Sequence, residues 1–139
     1  MKLIILLVLL AQQHALALDL NQATLEQNTG EEMNQSVYAF DRMEIKSISE
    51  NAFGKVWETL TVLNLTGNKL ESLPEKVFQG LSNLRELHLS GNRLAKLEPS
   101  LFQGLKSLEV LKLKGCGLES IKPTAFKDLT NLRHLDLSK

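Results

Sequence analysis

Residues 60–83 read LTVLNLTGNKLESLPEKVFQGLSN, residues 84–107 read LRELHLSGNRLAKLEPSLFQGLKS, and residues 108–131 read LEVLKLKGCGLESIKPTAFKDLTN. The three lines align without a gap, and LRHLDLSK at 132–139 begins a fourth. Leu60, Leu84, Leu108 and Leu132 stand 24 apart. So do Leu63, Leu87, Leu111 and Leu135, and again Leu65, Leu89, Leu113 and Leu137. Later in each unit come Leu70, Leu94 and Leu118, then Leu73, Leu97 and Ile121. Phe78, Phe102 and Phe126 follow, then Leu81, Leu105 and Leu129. Self-similarity at a fixed period of this length marks a solenoid of stacked supersecondary units.

The spacing within a unit has a physical meaning. Leu63-x-Leu65 alternates apolar and polar, as in a short strand with one buried face. The chain then turns at Gly67-Asn68, and equivalently at Gly91-Asn92 and Gly115-Cys116. Pro74, Pro99 and Pro123 fall on the return path, where a missing N–H breaks no sheet ladder. No return segment has the length or caps of a full α-helix. One unit cannot bury its own leucines, so the units must stack. Stacking predicts a parallel sheet on the concave side and a spine of Phe53, Phe78, Phe102 and Phe126 near the convex wall. Asn68 and Asn92 point inward in this scheme, where a carboxamide that both donates and accepts can serve turn backbone between coils. Cys116 holds the same place in the next unit and reads as a small buried stand-in.

Upstream the pattern weakens. Tyr38, Phe40, Met43, Ile45, Ile48, Phe53 and Val56 follow it with an offset of 25 from the next unit. Residues 35–59 are therefore a divergent first coil acting as an N-terminal cap, with Trp57 in the extra length, and residues 60–139 are the regular repeats, the last incomplete.

These residues resemble the 24-residue "typical" class of extracellular leucine-rich repeats, as in Toll-type receptors and short secreted insect immune repeat proteins. The resemblance is strong over residues 60–139. It implies an α/β solenoid: a right-handed coil with a short-stranded parallel sheet on the concave side and an irregular convex side. Members often carry disulfide-bonded caps, which the single Cys116 cannot form. Some insect members also lack a cysteine cap at the N-terminus.

The first residues belong to no repeat. Lys2, the apolar run Leu3–Ala11 and Ala15-Leu16-Ala17 form a signal peptide over residues 1–17, cleaved after Ala17. The run is far shorter than the ~20 residues of a membrane-spanning helix, and no later stretch is longer. A secreted, extracellular chain is expected. Residues 18–34 form an acidic polar segment with Asp19, Glu26, Glu31 and Glu32 and no Lys or Arg, while residues 35–139 carry a small basic excess within a chain of zero formal charge. The chain stops inside a strand at Leu135-Asp136-Leu137-Ser138-Lys139. This reads as a fragment, as a naturally short product, or as an open edge inviting self-association.

Function in such solenoids usually sits on the concave sheet. The outward positions there are Val62, Glu86, Val110 and His134, then Asn64, His88, Lys112 and Asp136, then Thr66, Ser90, Lys114 and Ser138. Lys112 and Lys114 are the one basic pair. An exposed ion pair between Lys112 and Asp136 on neighbouring strands is the ordinary structural expectation. Glycosylation sequons occur at Asn34-Gln35-Ser36 and Asn64-Leu65-Thr66.

Catalysis is not expected. His134, Asp136 and Ser138 lie two apart on one strand, roughly 6.6 Å per step, too far for proton transfer along the strand. No histidine shows metal-ligand spacing, and the repeated glycines belong to turns, so no metal or cofactor is expected. Lys and Arg are spread over all coils rather than clustered with aromatics, which argues against nucleic acid. The reading is a secreted recognition module for a protein partner, with innate immunity or extracellular signalling implied by the resemblance. A matrix-adhesive repeat protein, a receptor ectodomain fragment and a non-catalytic subunit of a secreted complex stay open.

Overall fold

Each Leu-x-Leu alternation produces a strand only three residues long, because a glycine turn follows it almost at once. The computed structural model describes residues 18–20, 36–50, 52–53 and 59–139. Its strands are β1 (Leu18–Leu20), β2 (Val37–Ala39), β3 (Ile45–Ile48), β4 (Val62–Asn64), β5 (Glu86–His88), β6 (Val110–Lys112) and β7 (His134–Asp136). The strands β2, β4, β5, β6 and β7 form one parallel sheet in that order. Tyr38, Leu63, Leu87, Leu111 and Leu135 stand in register across it. The offset of 25 between the first two coils and 24 between the rest is thus the sheet register itself.

Stacking explains the burial. In β4, β5 and β6 the central leucine is fully buried between two half-exposed neighbours. Leu65, Leu70, Leu84, Leu89, Leu94, Leu108 and Leu113 join the same interior. A leucine removed from water in this way contributes about 1.5–3 kcal/mol. On the other wall, Phe53, Phe78, Phe102 and Phe126 stack with ring centroids 6.3, 6.4 and 6.1 Å apart. The predicted spine is present, and offset stacking at this separation adds to its burial.

The turns are fixed from two directions. Gly67, Gly91 and Gly115 have φ of 70°, 69° and 66°, a region glycine enters without strain. In the first coil Arg42 occupies the equivalent place at φ 55°. Beside the turns runs an amide ladder. Asn68 Oδ1 accepts the N–H of Met43 at 3.0 Å and of Ile45 at 3.1 Å, while its Nδ2 donates to the carbonyls of Phe40 and Leu65. Asn92 accepts from Leu70 N–H at 3.1 Å and donates to Leu65 and Leu89 carbonyls. Cys116 continues the ladder with one rung: its Sγ–H donates to the Leu89 carbonyl at 3.1 Å. Burial pushes this thiol's pKa up, against smaller opposing contributions from backbone hydrogen bonds with Asn92 and Gly91.

The convex side is irregular, and its only regular piece among the described residues is a single 3-10 turn, Pro123–Phe126. The ends differ from the middle. The strand β1 pairs in parallel with β3 on the first coil, with an irregularity between Leu18 and Asp19. The acidic segment thus begins with a strand that the sequence did not suggest. At the other end Leu135 is 39% and Leu137 42% exposed. The expected signal peptide, Asn34, Val56 and Trp57 lie outside the described residues.

Candidate functional site

The concave columns follow from strand alternation: with Leu63, Leu87 and Leu111 turned inward, their neighbours must face out. The register places Val62, Glu86, Val110 and His134 in one row and Asn64, His88, Lys112 and Asp136 in the next. The first two predicted rows therefore share one face, whereas Thr66, Ser90, Lys114 and Ser138 lie two residues past the strand ends. Parallel strands stand about 4.8 Å apart, which sets the spacing of each row.

In the two concave rows, His88 and Asp136 find their side-chain partners two residues away on their own coil. His88 Nε2 lies 3.0 Å from Glu86 Oε2 on the same strand. Asp136 Oδ1 accepts the Ser138 N–H at 3.0 Å and the Ser138 hydroxyl at 2.7 Å. The hydroxyl and the N–H of Ser138 hold the Asp136 carboxyl below the usual carboxylate range, with smaller help from Lys114 and His134. The expected Lys112–Asp136 ion pair is not formed. Ion pairs among the described residues are Lys69–Glu44 and Arg85–Glu109. The local turn offers Asp136 two donors without ordering a long lysine side chain, and this is the cheaper arrangement. Lys112 and Lys114 thus keep their charge unpaired by any carboxylate within salt-bridge distance among the described residues. The same Asp136–Ser138 contact directs the Ser138 hydroxyl toward a carboxylate and not toward a histidine.

Asn64 repeats the geometry of Asp136. Its Oδ1 accepts the Thr66 N–H at 3.0 Å.

The structure adds a surface that the sequence reading did not single out. Thr61, Arg85, Glu109 and Arg133 follow the buried Leu60, Leu84 and Leu108 and the partly buried Leu132, and form a column on the flank leading into the sheet. Together with Thr59, Asn83, Ser107 and Asn131 they line an open groove of about 520 Å³. Backbone bonds from Arg85 N to Thr61 O, Glu109 N to Arg85 O and Arg133 N to Glu109 O hold the column at the coil pitch. Arg85 reaches Glu109 at 3.7 Å. The signal was available: it is the residue after the first leucine of every unit, one place before the concave row.

No helix among the described residues is long and apolar enough to cross a membrane.

Comparison with known proteins agrees with this geometry. A family model described as leucine rich repeat matches residues 41–94 and 82–139. No curated protein matches the chain. Among solved structures, the leucine-rich repeat domain of APL1B is similar with a TM-score of 0.73 and 27% identity, over 85% of this chain and 35% of that one. The LRIM1/APL1C complex gives 0.76 and 27%, over 87% of this chain and 22% of the other. The Toll–Spätzle complex, described as a molecular hub in Drosophila development and innate immunity, gives 0.66 and 28%, over 71% and 13%. The chain spans about a third or less of the length of each of these structures.

Proposed function

The chain belongs to the leucine-rich repeat family, and we propose that it is a secreted recognition module that binds a protein partner through the concave sheet over β5–β7. The observation that carries this reading is the pair Lys112, at the end of β6, and Lys114, two residues past it, with no ion-pair partner among the described residues. An unpaired charge can meet a partner's carboxylate without first breaking an ion pair within the chain. Val110 beside them supplies apolar contact, and His88, His134 and Asp136 a polar rim. Two of the similar structures are complexes named with two components, LRIM1 with APL1C and Toll with Spätzle. This supports a protein as the partner class and an immune or signalling setting.

Site-specific photo-crosslinking tests the reading. A photoreactive side chain at position 112 and another at convex position 127 are exposed to the extracellular fluid of the source. Protein adducts are expected at 112 and not at 127. Adducts at 127 alone, or equal labelling at both, would contradict a concave site. Secretion is tested separately with the native leader. The chain should reach the medium with Leu18 as its first residue, and retention with residues 1–17 attached would overturn it.

A further inference from the structure

We propose that Asn64 is an N-glycan acceptor, and that its glycan covers the β2–β4 side of the concave sheet and so leaves β5–β7 as the face open to a protein partner. The inference rests on the chain entering the secretory pathway, as the preceding section holds.

The argument starts from what each asparagine nitrogen does. Asn68 Nδ2 donates to two carbonyls, Asn92 Nδ2 to two more, and Asn131 Nδ2 to the Lys106 carbonyl. These amides hold coils together. Asn64 differs: its Oδ1 takes the Thr66 N–H, and its Nδ2 makes no hydrogen bond among the described residues. Asp136 shows what the turn requires. An aspartate there makes the same contact with Ser138 N–H at the same 3.0 Å, with oxygen alone. The amide nitrogen of Asn64 therefore has no task in the fold. It also lies in the sequon Asn64-Leu65-Thr66, and Asn64 is only partly buried.

The modification is compatible with that turn. The donor is an oligosaccharide carried on a lipid diphosphate, the class used in the secretory pathway. The bond from the anomeric carbon to the diphosphate oxygen breaks, and a carbon–nitrogen bond to Nδ2 forms. One Nδ2 proton is lost, and the lipid diphosphate leaves. Oδ1 is untouched, so the bond from Thr66 N–H survives.

Neighbours decide which way the sugar lies. The register partner of Asn64 on β2 is Ala39, whose side chain is a single methyl. On β5 it is His88, already engaged with Glu86 at 3.0 Å. The low side is toward β2. Lys112 is two strands away in the opposite direction, about 10 Å at the usual strand spacing.

The test uses the full mature chain, secreted from insect cells behind a heterologous leader in place of residues 1–17. Enzymatic deglycosylation in heavy-oxygen water is followed by peptide mass spectrometry. Asn64 is expected to be converted to heavy-labelled aspartate. An unmodified Asn64 in protein recovered from the medium overturns the proposal, whatever Asn34 shows. Failure of the native leader to export the chain would count against secretion instead, and leaves this result standing. Hydroxyl-radical footprinting of glycosylated and deglycosylated protein then reads the position of the sugar. Oxidation of Val62 should fall several-fold with the glycan present, with His134 unchanged. Equal shielding of both overturns the confinement to β2–β4. The Asn64→Asp variant keeps the turn acceptor and should fold as the parent does, without the mass increment.

Discussion

The middle coils and the last coil carry the same motif and live in different surroundings. Leu87 and Leu89 in LRELHLSGN are fully buried, whereas Leu135 and Leu137 in LRHLDLSK are 39% and 42% exposed. Sequence places the side chain on the inner face in both cases. What differs is whether a coil lies on the far side. A leucine-rich unit therefore fixes direction, and its neighbour supplies most of the energy, as expected of a one-dimensional stack. The first coil makes the same point from the other end. It has lost the glycine turn, holding Arg42 at φ 55° instead, and has gained β1 along β3.

The comparison can be broken at the aromatic spine first. Phe102 is fully buried and stacks on both Phe78 and Phe126. Phe102→Ala should cost about 3–5 kcal/mol in denaturant unfolding. Phe126 has a described ring neighbour on one side only and is half-buried, so Phe126→Ala should cost clearly less. Next comes the leucine pair itself. Leu87→Ala should cost about 2–5 kcal/mol, within the range for buried leucines, while Leu135→Ala should stay within about 1 kcal/mol because less surface and fewer contacts are lost. Equal losses would show that position within the stack is irrelevant.

Smaller effects sharpen the picture at the turn ladder. Asn92→Ala leaves the Leu70 N–H without the acceptor that now serves it, and removes a donor from the Leu65 and Leu89 carbonyls. A cost of about 1–3 kcal/mol follows for unsatisfied buried groups. Cys116→Asn should do the opposite and stabilise by roughly 1 kcal/mol, since an amide there could make the several bonds that Asn92 makes one coil earlier. The native thiol should resist alkylation until the chain unfolds. Burial raises its pKa in the folded state, so its contribution to stability is present below the pKa of the unfolded thiol and is lost as pH rises toward the folded value. The smallest stability effect is expected on the concave face. Lys112→Glu with Lys114→Glu should shift folding by no more than about 0.5 kcal/mol, yet weaken partner capture in the crosslinking assay.

Much of this was legible in the residues. The register, the phenylalanine spine, the inward asparagines and the concave rows all follow from positions that repeat at fixed spacing, because each depends on backbone direction alone. The parts that escaped depend on something else. Leu18-Asp19-Leu20 is too short an alternation to announce a strand; its partner β3 lies more than twenty residues away in sequence. The absent Lys112–Asp136 pair turned on a local competition, in which Ser138 supplied donors that register cannot reveal. The flank groove was overlooked because its residues precede the strand and belong to neither the core pattern nor the concave rows.

Amide hydrogen exchange tests the shared interior most directly. The Leu65, Leu89 and Leu113 N–H groups each donate to the next coil at 2.8 Å, while the Leu137 N–H makes no backbone hydrogen bond among the described residues. Exchange at the first three should be slow, with Leu89 approaching the global unfolding limit, and exchange at Leu137 should be fast. Uniformly fast exchange at Leu65, Leu89 and Leu113, with the chain otherwise folded, would contradict the stacked architecture from which everything else was derived.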